Sequence, residues 1–341
     1  MSSKNTDILN IFLILISLAL AFFLPFELFL FSYAVLGPLH YLTEINWLKE
    51  KKYFIANPQW IWLFVFITAL ISLPVLLKLP VFSSFSRTAF LSYLFDKINY
   101  HQGYILFLSL LLAAALVYFK KQKHIILFLL AGIIISMLVL KYVPFSFILA
   151  GLFIPTLVHV YLFTLLFMIY GSSREKNTTG VIAIVLLILC PFIILLSPID
   201  PAAYQLAGSI KASFFASGMQ NVSGKLASTF GTTGNSDFNL LSVTGIKIQV
   251  FIAFSYTYHY LNWFSKTSII GWNKNVSKPK LLLILLLWAG AVLLYWFDYK
   301  TALMALFFLS YLHVLLEFPL NMTSIKGILR LPGFKVQKSS S

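Results

Sequence analysis

The chain has 341 residues, of which 60% are hydrophobic and only 10% charged, and its mean hydropathy is +0.90. Soluble domains carry about 25% charged residues, so this composition excludes an ordinary soluble protein and indicates a polytopic membrane protein. A net charge of +15 would suggest nucleic-acid binding in a soluble chain. Here the basic residues lie in short loops between apolar runs, where they set membrane topology, so we expect no nucleic-acid partner.

The apolar runs are continuous and far longer than the alternating segments of a membrane β-barrel, which makes the predicted fold class all-α. We predict one integral membrane domain over residues 1–341, a bundle of about ten transmembrane helices. The predicted spans are 10–24, 27–48, 59–79, 102–119, 124–141, 145–170, 179–197, 243–265, 281–297 and 300–321. Pro25 separates the first two spans, which predicts a tight hairpin or one kinked helix. We expect the first span to be retained rather than cleaved as a signal peptide.

The positions of the basic residues predict the orientation of the bundle. With ten spans, 17 of the 25 Lys and Arg residues fall on one side of the membrane. They are Lys4, Lys49, Lys51, Lys52, Lys120, Lys121, Lys123, Arg174, Lys176, Lys266, Lys274, Lys278, Lys280, Lys326, Arg330, Lys335 and Lys338. Cytoplasmic loops collect Lys and Arg, so both termini are predicted to be cytoplasmic.

One connection, residues 198–242, is much longer than the others. We predict an extracytoplasmic loop or lid, and a segment of this length is also compatible with a flexible external connection. Its middle, 207–230, mixes large apolar with small residues and is a candidate helix covering a site from the outer face. The single cysteine, Cys190, excludes a disulfide within the chain and any multi-thiolate metal site.

The six histidines fall into two groups. His101 and His124 lie at predicted membrane surfaces, where solvation explains them. The other four lie inside the second, sixth, eighth and tenth spans, which all run from outside to inside and place the imidazoles at a similar depth. These intramembrane residues are His40, His159, His259 and His313. An ionisable side chain at membrane depth indicates a functional site, so we predict that these four are metal ligands.

Two carboxylates accompany the histidines at helical spacing. Glu44 follows His40, and Glu317 follows His313, by four residues, so each pair shares one helix face. We predict that the two glutamates bind the metal or hold the imidazoles, and that they act with Asn262 in catalysis. Asn262, Thr43 and Thr156 lie on faces suited to orienting imidazoles.

Imidazole and carboxylate without thiolate suit non-haem iron, manganese, zinc or copper. We predict one or two ions and favour iron, because an apolar setting suits O2 chemistry on a lipid-soluble substrate. The aromatic residues around His259 predict either ordinary helix packing or a substrate pocket. Three alternatives stay open: an ion- or proton-coupled transporter that uses the cluster as a relay, a bis-histidine haem protein, and plain interhelical hydrogen bonding.

Two short elements resemble a known family. Gly37-Pro38-Leu39-His40 followed by Glu44 resembles the Gly-x-Pro-His-x-x-x-Asp element of the Brp/Blh family, and His313-Val314-Leu315-Leu316-Glu317 resembles a second His-plus-acid element of that family. Members are bacterial and archaeal membrane proteins that cleave β-carotene to retinal with histidine-bound iron. Both acids are Glu here, and the family's closely spaced later His pair is absent. The resemblance implies an oxygenase in the bacterial cytoplasmic membrane that acts with O2 on a carotenoid or other apolar isoprenoid lipid.

Overall fold

A computed structural model describes residues 3–82, 88–142, 157–175, 177–229, 238–267, 269–272 and 276–330. The helices are α1 (Ser3–Phe23), α2 (Pro25–Phe31), α3 (Gly37–Glu50), α4 (Ile61–Leu76), α5 (Ala89–Tyr118), α6 (Gln122–Tyr142), α7 (Thr164–Glu175), α8 (Thr178–Leu196), α9 (Gly208–Ala216), α10 (Met219–Thr229), α11 (Val243–Lys266), α12 (Lys278–Phe297) and α13 (Tyr299–Ile328). Two stretches are wound as π-helix, Ser32–Leu36 between α2 and α3, and 157–163 before α7. The described residues contain no β-strand, which confirms the all-α prediction.

Eight of the helical stretches in the described residues are long and apolar enough to cross a membrane. They are Lys4–Phe23, Pro25–Glu50, Pro58–Leu76, Phe90–Tyr118, Leu157–Glu175, Thr178–Leu196, Lys278–Phe297 and Tyr299–Ile328. Each overlaps one predicted span, although the fourth begins well before residue 102. The predicted spans 124–141 and 243–265 correspond to α6 and α11, which are outside this set of eight. The span count of ten and the orientation therefore stay predictions.

Helix α11 lies at the centre of the bundle. It contacts α1, α2, α3, α8 and α10, and most of its side chains are buried. Its buried polar residues include Gln249, His259 and Asn262, which lower its hydropathy relative to the outer helices. Polar side chains of membrane helices face the bundle interior, so a helix enclosed by neighbours tolerates this composition. By contrast, α8 and α12 expose large apolar side chains such as Leu195 and Leu286.

The chain reverses direction between α1 and α2. Leu24 has φ −136° and ψ 56°, which interrupts the helix before Pro25. Asn10 of α1 donates to Ser265 near the end of α11, whereas Gln249 near its beginning donates to the carbonyl of Pro25. Helix α1 is therefore antiparallel to α11, and the first two helices form a hairpin rather than one kinked helix.

The four helical stretches that carry the intramembrane histidines run in the same direction. Contacts that advance together along two chains show this, since parallel helices meet at increasing residue numbers on both sides. For α2–α3 with α11 the pairs are Pro25 with Gln249, Ser32 with Thr257 and His40 with His259. For α13 with α2–α3 the pairs are Tyr299 with Leu30 and His313 with Tyr41. For the stretch 157–175 with α13 they are His159 with His313 and Tyr170 with Gly327.

Side-chain caps set the beginnings of three helices. Asn177, Ser242 and Asp298 each accept a hydrogen bond from a backbone N–H in the first turn of α8, α11 and α13, at 2.9, 3.1 and 3.2 Å. A cap of this kind satisfies one of the N–H groups that a helix start leaves unpaired.

The long connection 198–242 folds onto the bundle through α9 and α10. Phe214 of α9 is fully buried, with its ring centroid 5.5 Å from that of Phe26 and 6.4 Å from that of Phe29. Ser223 of α10 donates to the side chain of Gln249 in α11 at 3.2 Å. The described part of this connection is thus packed against the helices that carry the histidines, as a lid would be.

Candidate metal centre

Four imidazoles converge in the interior of the bundle. His40 lies on α3, His159 in the π-helical stretch 157–163, His259 on α11 and His313 on α13, and their exposed fractions are between 1% and 6%. One ring nitrogen from each lies within 4.8 Å of the others, so the group could hold a metal ion. His101 and His124, which we predicted at the membrane surface, are exposed.

The spacing of the ring nitrogens suits metal coordination. The Nε2 atoms of His40 and His259 are 3.1 Å apart, and those of His159 and His313 are also 3.1 Å apart. A metal–nitrogen bond of about 2.0–2.1 Å places neighbouring ligand nitrogens about 3.0–3.4 Å apart. The two observed pairs lie in that interval, and the 4.8 Å limit on the remaining distances requires only small inward shifts.

Both predicted carboxylates reach the imidazoles, but in different ways. Glu44 Oε2 lies 3.1 Å from Nε2 of His40, on the side where a metal would bind. Glu317 Oε2 lies 3.0 Å from Nδ1 of His159 on another helix, so its partner is a different histidine from the one four residues before it. When one nitrogen of an imidazole binds a metal, the other nitrogen commonly contacts a carboxylate that is not itself a ligand.

The charge of the site also favours a cation. Glu44 and Glu317 are buried, and each is close enough to interact electrostatically with the other. Among the described residues, the only ion-pair partners of these carboxylates are histidines. Burying two carboxylates without a cationic partner is costly, and a divalent ion would offset both charges.

A threonine that the sequence analysis missed orients His259. Thr164 Oγ1 donates to the carbonyl of Val160 at 3.0 Å and lies 2.7 Å from Nδ1 of His259. A hydroxyl has a single proton, so with that proton on the carbonyl its oxygen accepts the N–H of Nδ1. This tautomer leaves the lone pair of Nε2 free for a metal.

Two of the three residues predicted to orient imidazoles, Asn262 and Thr43, have other hydrogen-bond partners. The amide of Asn262 donates to Asn10 at 2.8 Å and to the hydroxyl of Tyr258 at 2.9 Å, while its side chain lines a small cavity beside the histidines. Thr43 donates to backbone carbonyls of its own helix and accepts the indole N–H of Trp263 at 2.9 Å. Thr156 lies outside the described residues.

Aromatic rings pack against His40. The ring centroids of Tyr260 and Trp263 lie 5.1 and 5.7 Å from that of His40. Gly37 makes room for this packing, because a Cβ there would lie 3.3 Å from the hydroxyl of Tyr260. The close approach of Tyr260 thus gives a steric explanation for glycine as the first residue of the Gly-Pro-Leu-His element.

Two cavities adjoin the imidazoles on different sides. An apolar cavity of about 240 Å³ contacts His159 and His313 and is lined mainly by aromatic and aliphatic side chains. Its walls include Tyr33, Tyr256, Tyr260, Tyr311, Phe29 and Phe307, and it is bounded by Ser217, Gly218 and Met219 of the 198–242 connection. A polar cavity of about 30 Å³ contacts His40, His259, Glu44, Glu317 and Asn262.

Both π-helical stretches lie at or next to histidines of the cluster. Ser32–Leu36 precedes Gly37-Pro38 and His40, and 157–163 contains His159 itself. A π-turn is rare and frequently marks a functional site, because it changes which residues of a helix share one face. Two of the four histidines therefore depend on local winding that an apolar sequence pattern does not specify.

Comparisons with family models, curated proteins and solved structures give no match. The resemblance to the Brp/Blh family accordingly stays a prediction from the quoted residues. What the structure adds is geometric: the residues of both quoted elements meet in one buried cluster with His159 and His259.

Proposed function

We propose that the protein is a membrane-embedded, non-haem iron oxygenase that acts on a carotenoid or another apolar isoprenoid lipid. One observation carries this proposal: a buried cluster of four imidazoles and two carboxylates adjoins, through His159 and His313, an apolar, tyrosine-rich cavity inside a bundle of apolar helices. The oxidation of a lipid-soluble substrate requires a metal site beside an apolar cavity.

The ligand set is compatible with iron. His40, His159, His259 and His313 would bind through Nε2, and Glu44 is close enough to add an oxygen ligand. Neutral imidazoles with a carboxylate and no thiolate suit iron, and also manganese, zinc or copper. Bound iron would supply the redox chemistry that lets O2 react with an organic substrate.

The surrounding residues have roles that follow from their contacts. Thr164 holds the ring of His259 by a hydrogen bond, and Glu317 Oε2 lies 3.0 Å from Nδ1 of His159, close enough to bond that nitrogen once a metal draws the ring into place. Trp263 and Tyr260 pack against the ring of His40. Groups that are already oriented need no rearrangement when charge develops beside them, which strengthens the electrostatic interactions of the site.

The apolar cavity supports a substrate without charged groups. At about 240 Å³ it is larger than the roughly 150 Å³ cavity that binds benzene in an engineered protein core. It would take a segment of about ten carbons, so a longer isoprenoid chain would extend beyond it. The turn at Ser217–Met219 forms one wall, which suits a lid that must move to admit such a chain.

Metal analysis of the purified protein tests the first part of the proposal. We expect about one or two iron ions per chain, with loss of metal in His40→Ala and His313→Ala. The exposed residues provide matched controls, and His101→Ala and His124→Ala should retain metal at the wild-type level. Absence of bound transition metal, or equal metal content in all four variants, would overturn the metal site.

Expression in a host that makes β-carotene tests the second part. The proposal predicts loss of carotenoid colour with the wild-type protein and retention of colour with His313→Ala. If the metal is present but carotenoid and related isoprenoids are unchanged, the substrate class is wrong while the metal site stands.

A second candidate function uses the same carboxylates. Glu44 and Glu317 both line the polar cavity, which is the arrangement expected for a proton relay in a transporter. Flux through proteoliposomes that depends on both glutamates and persists without metal would favour this function over the oxygenase.

A further inference from the structure

Two polar-sided cavities lie in series between the metal centre and one end of the bundle. The inner one, about 30 Å³, contacts His40, His259 and both glutamates. The outer one, about 120 Å³, lies next to it, and Phe167, Lys266 and Ile270 line both. The inner volume exceeds the roughly 10–15 Å³ that one water needs, so the inner cavity has room for a water or an ion.

The outer cavity reaches the surface of the protein. Gly171 and Glu175 line it and are exposed, whereas Asn10 lines its buried side. The carboxylate of Asp7 also lines it and accepts a hydrogen bond from the side-chain amide of Asn177. Among the described residues that line this cavity, the acidic Asp7 and Glu175 outnumber the one cationic residue, Lys266, which favours positive ions at its mouth.

The apolar cavity on the other side of the cluster differs in the charged residues that line it and in the histidines that it contacts. None of the described residues that line it is charged, and it contacts His159 and His313 rather than His40 and His259. The metal centre therefore has two approaches, one suited to a hydrated ion and the other to a lipid.

We infer that the two polar cavities are the route by which the divalent metal ion enters the centre, separate from the route of the substrate. This inference rests on the proposed metal site. An ion would pass the carboxylates at the mouth, shed water in the inner cavity against Glu44 and Glu317, and then reach the imidazoles. Carboxylate oxygens as intermediate ligands would replace the hydration that a bare membrane interior cannot supply.

Lys266 lies where the two cavities adjoin. Its side chain lines both cavities, and its Nζ lies 4.9 Å from the centroid of the Phe167 ring. It interacts electrostatically with Asp7 and Glu175. An ammonium group at the junction repels an entering cation, so it slows loading and equally slows the loss of metal already bound.

The test is the rate of Co²⁺ uptake by metal-stripped protein in detergent, followed by visible absorption. In Gly171→Phe a ring is added to the wall of the outer cavity, where a Cβ meets no atom within 4 Å. We expect uptake at least about tenfold slower, because loading must then wait for a local opening, with the same final occupancy. Gly290→Phe is the matched control, since a Cβ at Gly290 also meets no atom within 4 Å and this residue lies outside the cavities.

Uptake by Gly171→Phe at the wild-type rate would overturn the route. Should that variant fail to fold, Lys266→Met tests the same path: we expect uptake about tenfold faster because a like charge has been removed, and an unchanged or slower rate refutes the inference. If the wild-type protein binds no Co²⁺ at equilibrium, the proposed metal site itself fails. If the wild-type protein binds Co²⁺ and the variants take it up at the wild-type rate, only the entry route is refuted.

Discussion

The hydroxyl of Thr164 offers the sharpest test of the metal centre. Thr164→Val keeps the shape of a buried side chain and removes only the group that lies 2.7 Å from Nδ1 of His259. Loss of such a contact outside the ligands typically costs about 10–100-fold in metal affinity, which is about 1.4–2.7 kcal/mol. In the metal-free protein the stranded N–H of a buried imidazole should also lower the free energy of unfolding by about 1–3 kcal/mol.

Equilibrium dialysis against Co²⁺ measures the affinity, and chemical unfolding in detergent measures the stability. Thr164→Ser retains the hydroxyl and should stay close to wild type in affinity. Thr68→Val is the matched control, because Thr68 is fully buried and donates to the carbonyl of Phe64 in the same helical pattern, but it contacts no histidine. Wild-type affinity in Thr164→Val, or an equal loss in Thr68→Val, would refute the role given to this hydroxyl.

Three further predictions concern other parts of the site and its scaffold. Glu317→Gln should lower Co²⁺ affinity by about 10–100-fold, whereas Glu50→Gln, which alters a partly exposed ion pair, should leave it unchanged in the same dialysis. Gly37→Ala should lower the unfolding free energy by about 1–3 kcal/mol by crowding a tyrosine hydroxyl, while Gly290→Ala, with open space around its Cβ, should not. Asp298→Ala should cost about 0.5–2 kcal/mol as a lost helix cap. A hydrogen bond from a threonine hydroxyl holds the pKa of Asp298 below its ordinary value. The cap therefore stabilises the fold fully above a pH of about 4, and this contribution is lost as the pH falls through the pKa of the folded state. An identical pH dependence of unfolding in wild type and Asp298→Ala would contradict this prediction.

The meeting of the four histidines could be predicted from the sequence because it depends on simple quantities. Apolar run lengths place His40, His159, His259 and His313 on alternate spans, and alternate spans run in the same direction. Helical rise then sets their depth. The structure has these parallel directions and brings the imidazoles together.

The partners of the histidines could not be predicted in the same way. Spacing within one helix paired Glu317 with His313, but its close contact is His159 on a different helix, which depends on the rotation of each helix about its axis. Thr164 was missed for the same reason, since it contacts His259 across the bundle. Local π-winding adds to the difficulty, because it changes the face on which a residue such as His159 lies.

The ends of some helices could not be predicted from the apolar runs either. Helix α5 continues for more than a turn on the N-terminal side of residue 102, where Asp96 and Lys97 interrupt the hydropathy but not the helix. The two helices within 198–242 are short and contain serines and glycines, so their packing on the bundle decides their structure more than their own propensity does.

The central position of α11 has a consequence for how the protein is made. This helix carries His259 and Asn262 and is outside the eight stretches that are long and apolar enough to cross a membrane, so its transfer into lipid as an isolated segment is less favourable than theirs. Several of its polar groups pair with α1 and α2, which are synthesised more than two hundred residues earlier, as in the bonds of Ser265 with Asn10 and of Gln249 with Pro25. We expect its insertion to depend on those helices already being in place, so polar-to-apolar changes in α1 would reduce the yield of membrane-inserted protein before they affect the metal centre.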